Sequence, residues 1–202
     1  MPELIVDLIT SLDGYASAEG WPGWWGLEGP EYLGWLETNP ERDAELLMGA
    51  TTYRVMSQMS AAAGDAQTES AFRGAEADSL TGLDAAPKVV FSSSLREPLA
   101  WPNTRLVDTD PVEAVRAMKQ GGSRPMRTLG SLTLCRSLLA AGLVDRFRVV
   151  VFPVVTGVTG RERVYDGYPD LRLELLESRT FDGRLQLLEY RPTVLDGPPG
   201  AG

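Results

Sequence analysis

The chain has 202 residues, of which 43% are apolar and 23% charged; this suits one globular domain able to fold around its own core and excludes a disordered or fibrous class. A net charge of -9 argues against a nucleic-acid partner, because the average surface repels phosphates, while leaving room for a local pocket that holds a phosphorylated small molecule. Histidine is absent, which removes His-based triads, most zinc sites and imidazole acid–base chemistry, whereas chemistry borrowed from a cofactor passes that filter.

The single cysteine, Cys135, has no partner for an internal disulfide and reads as a small core residue on the apolar side of a helix. No metal site is expected. Neither a basic, apolar leader nor a bilayer-length apolar run is present, so the expectation is a cytoplasmic protein without a membrane partner.

In chain order, ELIVDLI (3–9) is a β-branched apolar run and predicts a buried strand. Residues 10–32 read as a long loop, broken by glycines and Pro22 and crowded with Trp21, Trp24 and Trp25. A short helix follows over 30–39, with Pro30 in its first turn. A brief strand spans 44–49, and a helix spans 51–59 with Tyr53, Met56 and Met59 three apart. Residues 60–70 are small and polar and read as loop; 71–83 hold a possible further helix. PKVVFSSSL (87–95) predicts a strand ending in three serines, and TRLVDT (104–109) another.

Asp110 then caps a helix that carries Pro111 at its first position and Val112, Val115 and Met118 on one side. MRTL leads into a helix over 131–141, where Leu132, Cys135, Leu138 and Leu139 share a face. The longest strand is expected over 144–155, a flexible loop over 155–171, and two strands over 171–192 joined at Asp182-Gly183, a type I′ hairpin signal. Residues 1–192 form one domain in this reading, and 193–202 a flexible tail. Strands alternating with helices, closed by antiparallel strands, imply an α/β fold with a mainly parallel sheet and a hairpin edge.

In such a sheet, ligands bind beyond the carboxyl ends of the strands. Three small, polar junctions fall there: MGATTY (48–53), FSSSL (91–95) and LGSLTL (129–134). The first and third open helices, whose N-termini carry unpaired donors and a partial positive charge suited to phosphate. Each is equally readable as a plain strand–helix cap, and none completes a Gly-x-Gly-x-x-Gly or P-loop pattern.

Read together, SLDGYAS, LLMGATTY, KVVFSSSL, TLGSLTLCRSLLAAGLVDRFRVVVFPVVTG and LLESRTFDGRLQLLEYRP resemble, in order and over nearly the whole chain, the dihydrofolate-reductase-like family that includes the reductase domain of bacterial riboflavin biosynthesis. The resemblance implies a three-layer α/β/α fold and an NADPH-dependent reductase, NADH remaining possible, acting on a small molecule and commonly a homodimer. It implies cofactor contacts at Gly49, Ala50, Thr51 and Thr52, with Tyr53 beside them, at Ser92 and Ser93 for the adenosine 2′-phosphate, and at Gly130, Ser131, Leu132 and Thr133 under the pyrophosphate and nicotinamide. Ile9, Asp13 and Ala16 correspond to the wall beside the nicotinamide.

Two positions depart from the family. Ala50 stands where the family usually has an arginine that grips the cofactor phosphate; Arg54, Arg73 and Arg96 are either substitutes or solvated charges. In dihydrofolate reductases an acid on the first helix grips the pterin; here that position is Tyr32, with Glu28 and Glu31 nearby as stand-ins or surface glutamates. A tyrosine donates a hydrogen bond but forms no charged pair with a protonated pterin, which argues against dihydrofolate as substrate.

The tryptophans, Trp35 included, either line a flat aromatic pocket or pack a small core of their own. Asp13-Gly14 is either a turn former or a carboxylate at the nicotinamide end. Arg161 and Arg163 lie in the loop after Gly157. The expected chemistry is hydride transfer to a C=N or C=C bond of a pterin- or pyrimidine-like heterocycle. Asp13, Glu31 and Tyr32 are the catalytic candidates, and Trp25 and Tyr165 the further substrate contacts. The alternatives are the pyrimidine reductase step of riboflavin synthesis and a non-catalytic nucleotide-binding protein of the same fold.

Overall fold

The structure, a computed structural model, describes residues 1–19, 25–64 and 82–200. Its elements in chain order are β1 (Leu4–Ser11), β2 (Tyr15–Ala18), α1 (Pro30–Thr38), β3 (Glu45–Gly49), α2 (Ala50–Gly64), β4 (Lys88–Phe91), β5 (Thr104–Val107), α3 (Pro111–Gly121), β6 (Met126–Thr128), α4 (Leu132–Ala140), β7 (Arg146–Phe152), β8 (Gly160–Arg163), β9 (Leu171–Phe181) and β10 (Leu185–Val194). Eight strands form one sheet in the order β5-β4-β3-β6-β1-β7-β10-β9. The first six run parallel, and β10 and β9 close the edge antiparallel.

Apolar residues on both faces of the central strands require cover on both sides. Leu4, Val6 and Leu8 of β1, with Leu47 and Val89, pack against Val115 of α3 and Cys135, Leu138 and Leu139 of α4. On the other face, Tyr32 of α1 packs with Val150, Phe152, Phe181 and Leu187, and Tyr53 of α2 packs with Leu46, Met48 and Val90. The result is the expected three-layer α/β/α arrangement. Burial pushes the Cys135 thiol up to about 12, which fits a core role.

Several boundaries differ from the sequence reading. The segment 10–32 is not all loop: β1 runs on to Ser11, and Tyr15–Ala18 pairs with Gly160–Arg163 in a separate two-stranded sheet. The segment 155–171, expected as a flexible loop, supplies that second strand. α2 continues to Gly64 and so absorbs the start of the expected loop 60–70. The helix expected over 71–83 lies almost wholly outside the described residues, as do Trp21, Trp24 and Arg73. β4 stops at Phe91 because Ser92 Oγ accepts from the N–H groups of Ser94 and Leu95, turning the chain out of the ladder.

The hairpin forms at Asp182 and Gly183, both at positive φ, as a type I′ turn requires. It runs past residue 192: Thr193 and Val194 pair with Arg172 and Leu171, so the boundary placed at 193 moves beyond the strand.

Candidate functional site

β3 and β6 are neighbouring parallel strands, so their carboxyl ends lie side by side, and each leads into a helix. Gly130 and Ser131 are both in the left-handed region, at φ 56° and 62°. This tight turn aims the Ser131 side chain away from its own helix: it makes no cap to α4. Instead Ser131 Oγ accepts from the Gly49 N–H at 2.7 Å and shares a 2.7 Å hydrogen bond with Thr52 Oγ. One serine therefore ties the mouth of α2 to the mouth of α4. Gly130 is needed for the turn and for room, since a Cβ there would already touch Thr52 at 3.4 Å.

These mouths open on a cavity of about 1210 Å³ over the face covered by α1 and α2. Gly49, Ala50, Thr51 and Thr52 line it from one mouth, and Gly130, Ser131, Leu132 and Thr133 from the other. Ile9 and Ala16 line it as well, and Tyr32 of α1 overhangs it. The hydroxyls of Ser131 and Thr52 are spent on each other, so what the mouths offer an anion is backbone N–H groups and helix termini.

Other candidates lie elsewhere. Ser92 and Ser93 follow β4, next to β3 on the same rim, but do not line the cavity. Arg54, one turn into α2, reaches that serine turn, its Nη2 lying 3.5 Å from Ser94 Oγ. Arg96 turns back on the carbonyls of Ser93 and Leu95.

Asp13, read as a turn former or a catalytic carboxylate, is held in its turn by four hydrogen-bond contacts from Ser11, Thr156 and Gly157. Its carboxylate accepts from Ser11 Oγ at 2.6 Å and from the N–H groups of Thr156 and Gly157 at 3.1 and 2.8 Å. Those bonds, Ser11 foremost, lower it from its ordinary value to about 2. Glu31 is exposed, and its Oε2 accepts from the Asp182 N–H at the hairpin turn. Trp25 packs on Phe152 with ring centroids 5.4 Å apart, and Tyr165 packs edge-on against Tyr168; neither lines the cavity. Of the three catalytic candidates only Tyr32 faces it. Burial first, and then the nearby Asp7 carboxylate, push its phenol well above the ordinary range, so it stays protonated.

The floor of the cavity carries charges that the sequence reading passed over. Asp7 of β1 and Arg127 of β6 line it, joined by Arg127 Nη1 to Asp7 Oδ2 at 3.0 Å. Behind Asp7 the row continues across the sheet: Asp7 stands opposite Arg148 of β7, and Arg148 opposite Glu189 of β10. Arg148 donates to Glu189 at 2.7 Å and to Glu41 at 3.0 Å, and Arg146 to the same two carboxylates at 2.7 and 2.5 Å. Burial opposes the charge on Arg148, but Asp7, Glu189 and Glu41 outweigh it and raise its pKa. Burial likewise opposes the Glu41 charge, and the Arg146 hydrogen bond with Arg148 overcomes it. The signal was present in the sequence as lone charges inside apolar strands, in LIVDLI, RTL and RFRVVVF, where an unpaired charge is not tolerated.

The profile of the RibD C-terminal domain matches residues 2–187. The Bacillus subtilis (strain 168) protein YyaP is 25% identical over 188 residues, covering 93% of each chain. The fold is that of a putative riboflavin biosynthesis protein from Shewanella sp. PV-4, with a TM-score of 0.68 at 18% identity over 95% of this chain and 99% of that one. It is also that of a dihydrofolate reductase from Enterococcus faecalis complexed with NADP(H), with a TM-score of 0.57 at 13% identity over 95% and 96%. A mainly parallel α/β/α sheet, two helix mouths joined at its carboxyl rim and a profile match over nearly the whole length lead to one conclusion: the chain belongs to the RibD C-terminal domain family, whose fold is that of dihydrofolate reductase.

Proposed function

We infer that the protein is an NADPH-dependent reductase of a planar, pterin- or pyrimidine-like heterocycle. The observation that carries this reading is the Ser131 clasp, which fixes two helix mouths side by side at the edge of a cavity deep enough for a second ring. The residues present fit a dinucleotide: Gly49 and Gly130 keep the rim bare, each with a Cβ position already at contact distance from a neighbouring side chain. The backbone N–H groups of both mouths suit its phosphates. When bound, the cofactor supplies a hydride.

The chain's own share is placement and exclusion of water. Ile9 and Ala16 offer a wall for the nicotinamide. Tyr32, held protonated, is a hydrogen-bond donor above the second ring and not a base. Of the acids lining the cavity, Glu37 is exposed in the last turn of α1 and Asp7 is paired with Arg127, so the proton comes from water in this account.

Ala50 leaves the α2 mouth without a cation; Arg54 and Arg96 both reach the serine turn, and Arg96 is engaged by the Ser93 and Leu95 carbonyls. In this reading Arg54, with Ser92 and Ser93, holds the adenosine 2′-phosphate. Arg54→Ala should cut the NADPH over NADH preference by about tenfold, the worth of one charge-assisted contact, measured by titrating both nucleotides. A homodimer follows from the same resemblance, and sedimentation of the full chain checks it.

The reading as a whole is tested by following NADPH oxidation with neutral pyrimidines, pterins and quinoid compounds. Turnover of at least one supports it. Ala50 favours the second reading, a nucleotide-binding protein without turnover, and saturable NADPH binding with no oxidation across the panel would favour that one. Turnover confined to a ribosylated aminopyrimidine would narrow the activity to the riboflavin step.

A further inference from the structure

We propose that Glu162 is a cofactor contact, a carboxylate that accepts hydrogen bonds from the ribose hydroxyls on the nicotinamide side of the dinucleotide. The proposal rests on the reductase reading and adds a residue to its cofactor site.

Glu162 lies in β8 between Arg161 and Arg163, which stand opposite Ser17 and Tyr15 of β2. That register brings Glu162 level with Ala16, and both line the cavity, whereas neither arginine does. The arginines are engaged elsewhere. Arg161 Nη2 donates to Glu19 Oε2 at 3.1 Å, and the Arg163 guanidinium lies 5.0 Å from the centre of the Tyr15 ring.

Two further observations mark the position. Glu162 has φ 59°, the left-handed region that a glutamate seldom adopts, and it has it inside a paired strand where glycine would sit without strain. Its carboxylate has no hydrogen-bond or ion-pair partner among the described residues, although an arginine stands on either side. No contact of this side chain within the described fold offsets the strain; a ligand contact does.

Chemistry decides which part of the cofactor the carboxylate meets. Ile9 and Ala16 are apolar and suit the flat ring, while the backbone N–H groups from Gly130 to Thr133 suit the pyrophosphate. The ribose joins ring to pyrophosphate and so falls between those walls, beside Glu162. A carboxylate only accepts and repels phosphate, so it suits the part that carries two O–H donors. Held there, Glu162 stays an acceptor, which agrees with water as the proton source. NADPH and NADH share this ribose, so Glu162 acts on both alike, unlike Arg54.

The test is calorimetric titration of four probes into the full chain: NADPH, NADH, the reduced acetylpyridine analogue of NADPH, and adenosine 2′,5′-bisphosphate. The variants are Glu162→Gln and Glu162→Gly; the second keeps the φ without strain, so weaker binding there is not a folding defect. Expected is an affinity for NADPH and for NADH about tenfold weaker in both variants. The acetylpyridine analogue, which lacks the carboxamide N–H groups but keeps the ribose, should weaken as much. The bisphosphate, which lacks the nicotinamide ribose, should bind all three proteins equally. Unchanged NADPH affinity in the variants, an equal loss for the bisphosphate, or an analogue that escapes the loss overturns the proposal and leaves the reductase reading standing. Absence of NADPH binding to the wild type overturns both.

Discussion

Asp13, readable in the sequence either as a turn former or as a carboxylate at the nicotinamide end, is held by the turn. It sits just past β1, where a carboxylate beside a cofactor is plausible, and spends itself on Ser11 and on the N–H groups of Thr156 and Gly157. Its folded pKa lies at about 2, below the ordinary 3.8. The charged form is therefore favoured by folding: the stabilisation is present above about pH 4 and is lost as pH falls toward 2. Asp13→Asn should melt below the wild type at neutral pH, with the gap closing between about pH 4 and 2 in a circular-dichroism melt series; a gap constant over that window contradicts the assignment. Arg148 is the opposite case, a charge hidden in a strand. Removing it as Arg148→Met leaves Glu41 and Glu189 short of a partner and should cost about 3–5 kcal/mol in denaturant unfolding. Asp7 and Arg148 were legible only as oddities, since one charge in an apolar run says that a partner exists but not which strand supplies it.

At the scale of elements, the hairpin turn has a task beyond reversing the chain. Asp182 Oδ1 and Oδ2 accept from the N–H groups of Glu31 and Tyr32 at 3.0 and 3.2 Å, and Glu31 Oε2 accepts from the Asp182 N–H at 2.6 Å. This is a reciprocal cap for α1 supplied from the far end of the chain, where Gly29 itself makes no side-chain cap. A Cβ on Gly29 would fall 2.3 Å from the Asp182 carboxyl carbon, so glycine is required there. Asp182→Ala should lose about 1–2 kcal/mol, the usual worth of an N-cap, in equilibrium unfolding; an unchanged midpoint would refute the cap. The Asp182-Gly183 turn was legible from its dipeptide, and its docking on α1 was not, because nothing local links residues 151 apart. The Ser131 clasp is similar: Gly-Ser at a helix mouth was visible, but the bond to Gly49 depends on β3 and β6 being neighbours. Ser131→Ala should cost about 1–2 kcal/mol for its two hydrogen bonds and weaken NADPH binding alongside.

For the molecule as a whole, the alternation of apolar strands with capped helices was enough to read a mainly parallel sheet and its hairpin edge, because buried parallel strands announce themselves as continuous apolar runs; the three layers came from the family resemblance. The small β2–β8 sheet escaped, since YASA and GRER are neither apolar nor alternating and gain their order from pairing across the chain. The cavity was legible at its rim, where glycines and hydroxyls mark strand ends, and illegible at its floor, where isolated charges on β1 and β6 pair only once the strands are neighbours. The account stands on the rim accepting a nicotinamide dinucleotide, and the direct measurement is a calorimetric titration of NADPH into the wild type and into Gly130→Val. That substitution puts a branched side chain at φ 56° and against Thr52. The account predicts one saturable site in the wild type and none in a variant that still melts cooperatively; no saturable binding to the wild type, or equal affinity in both, would contradict it.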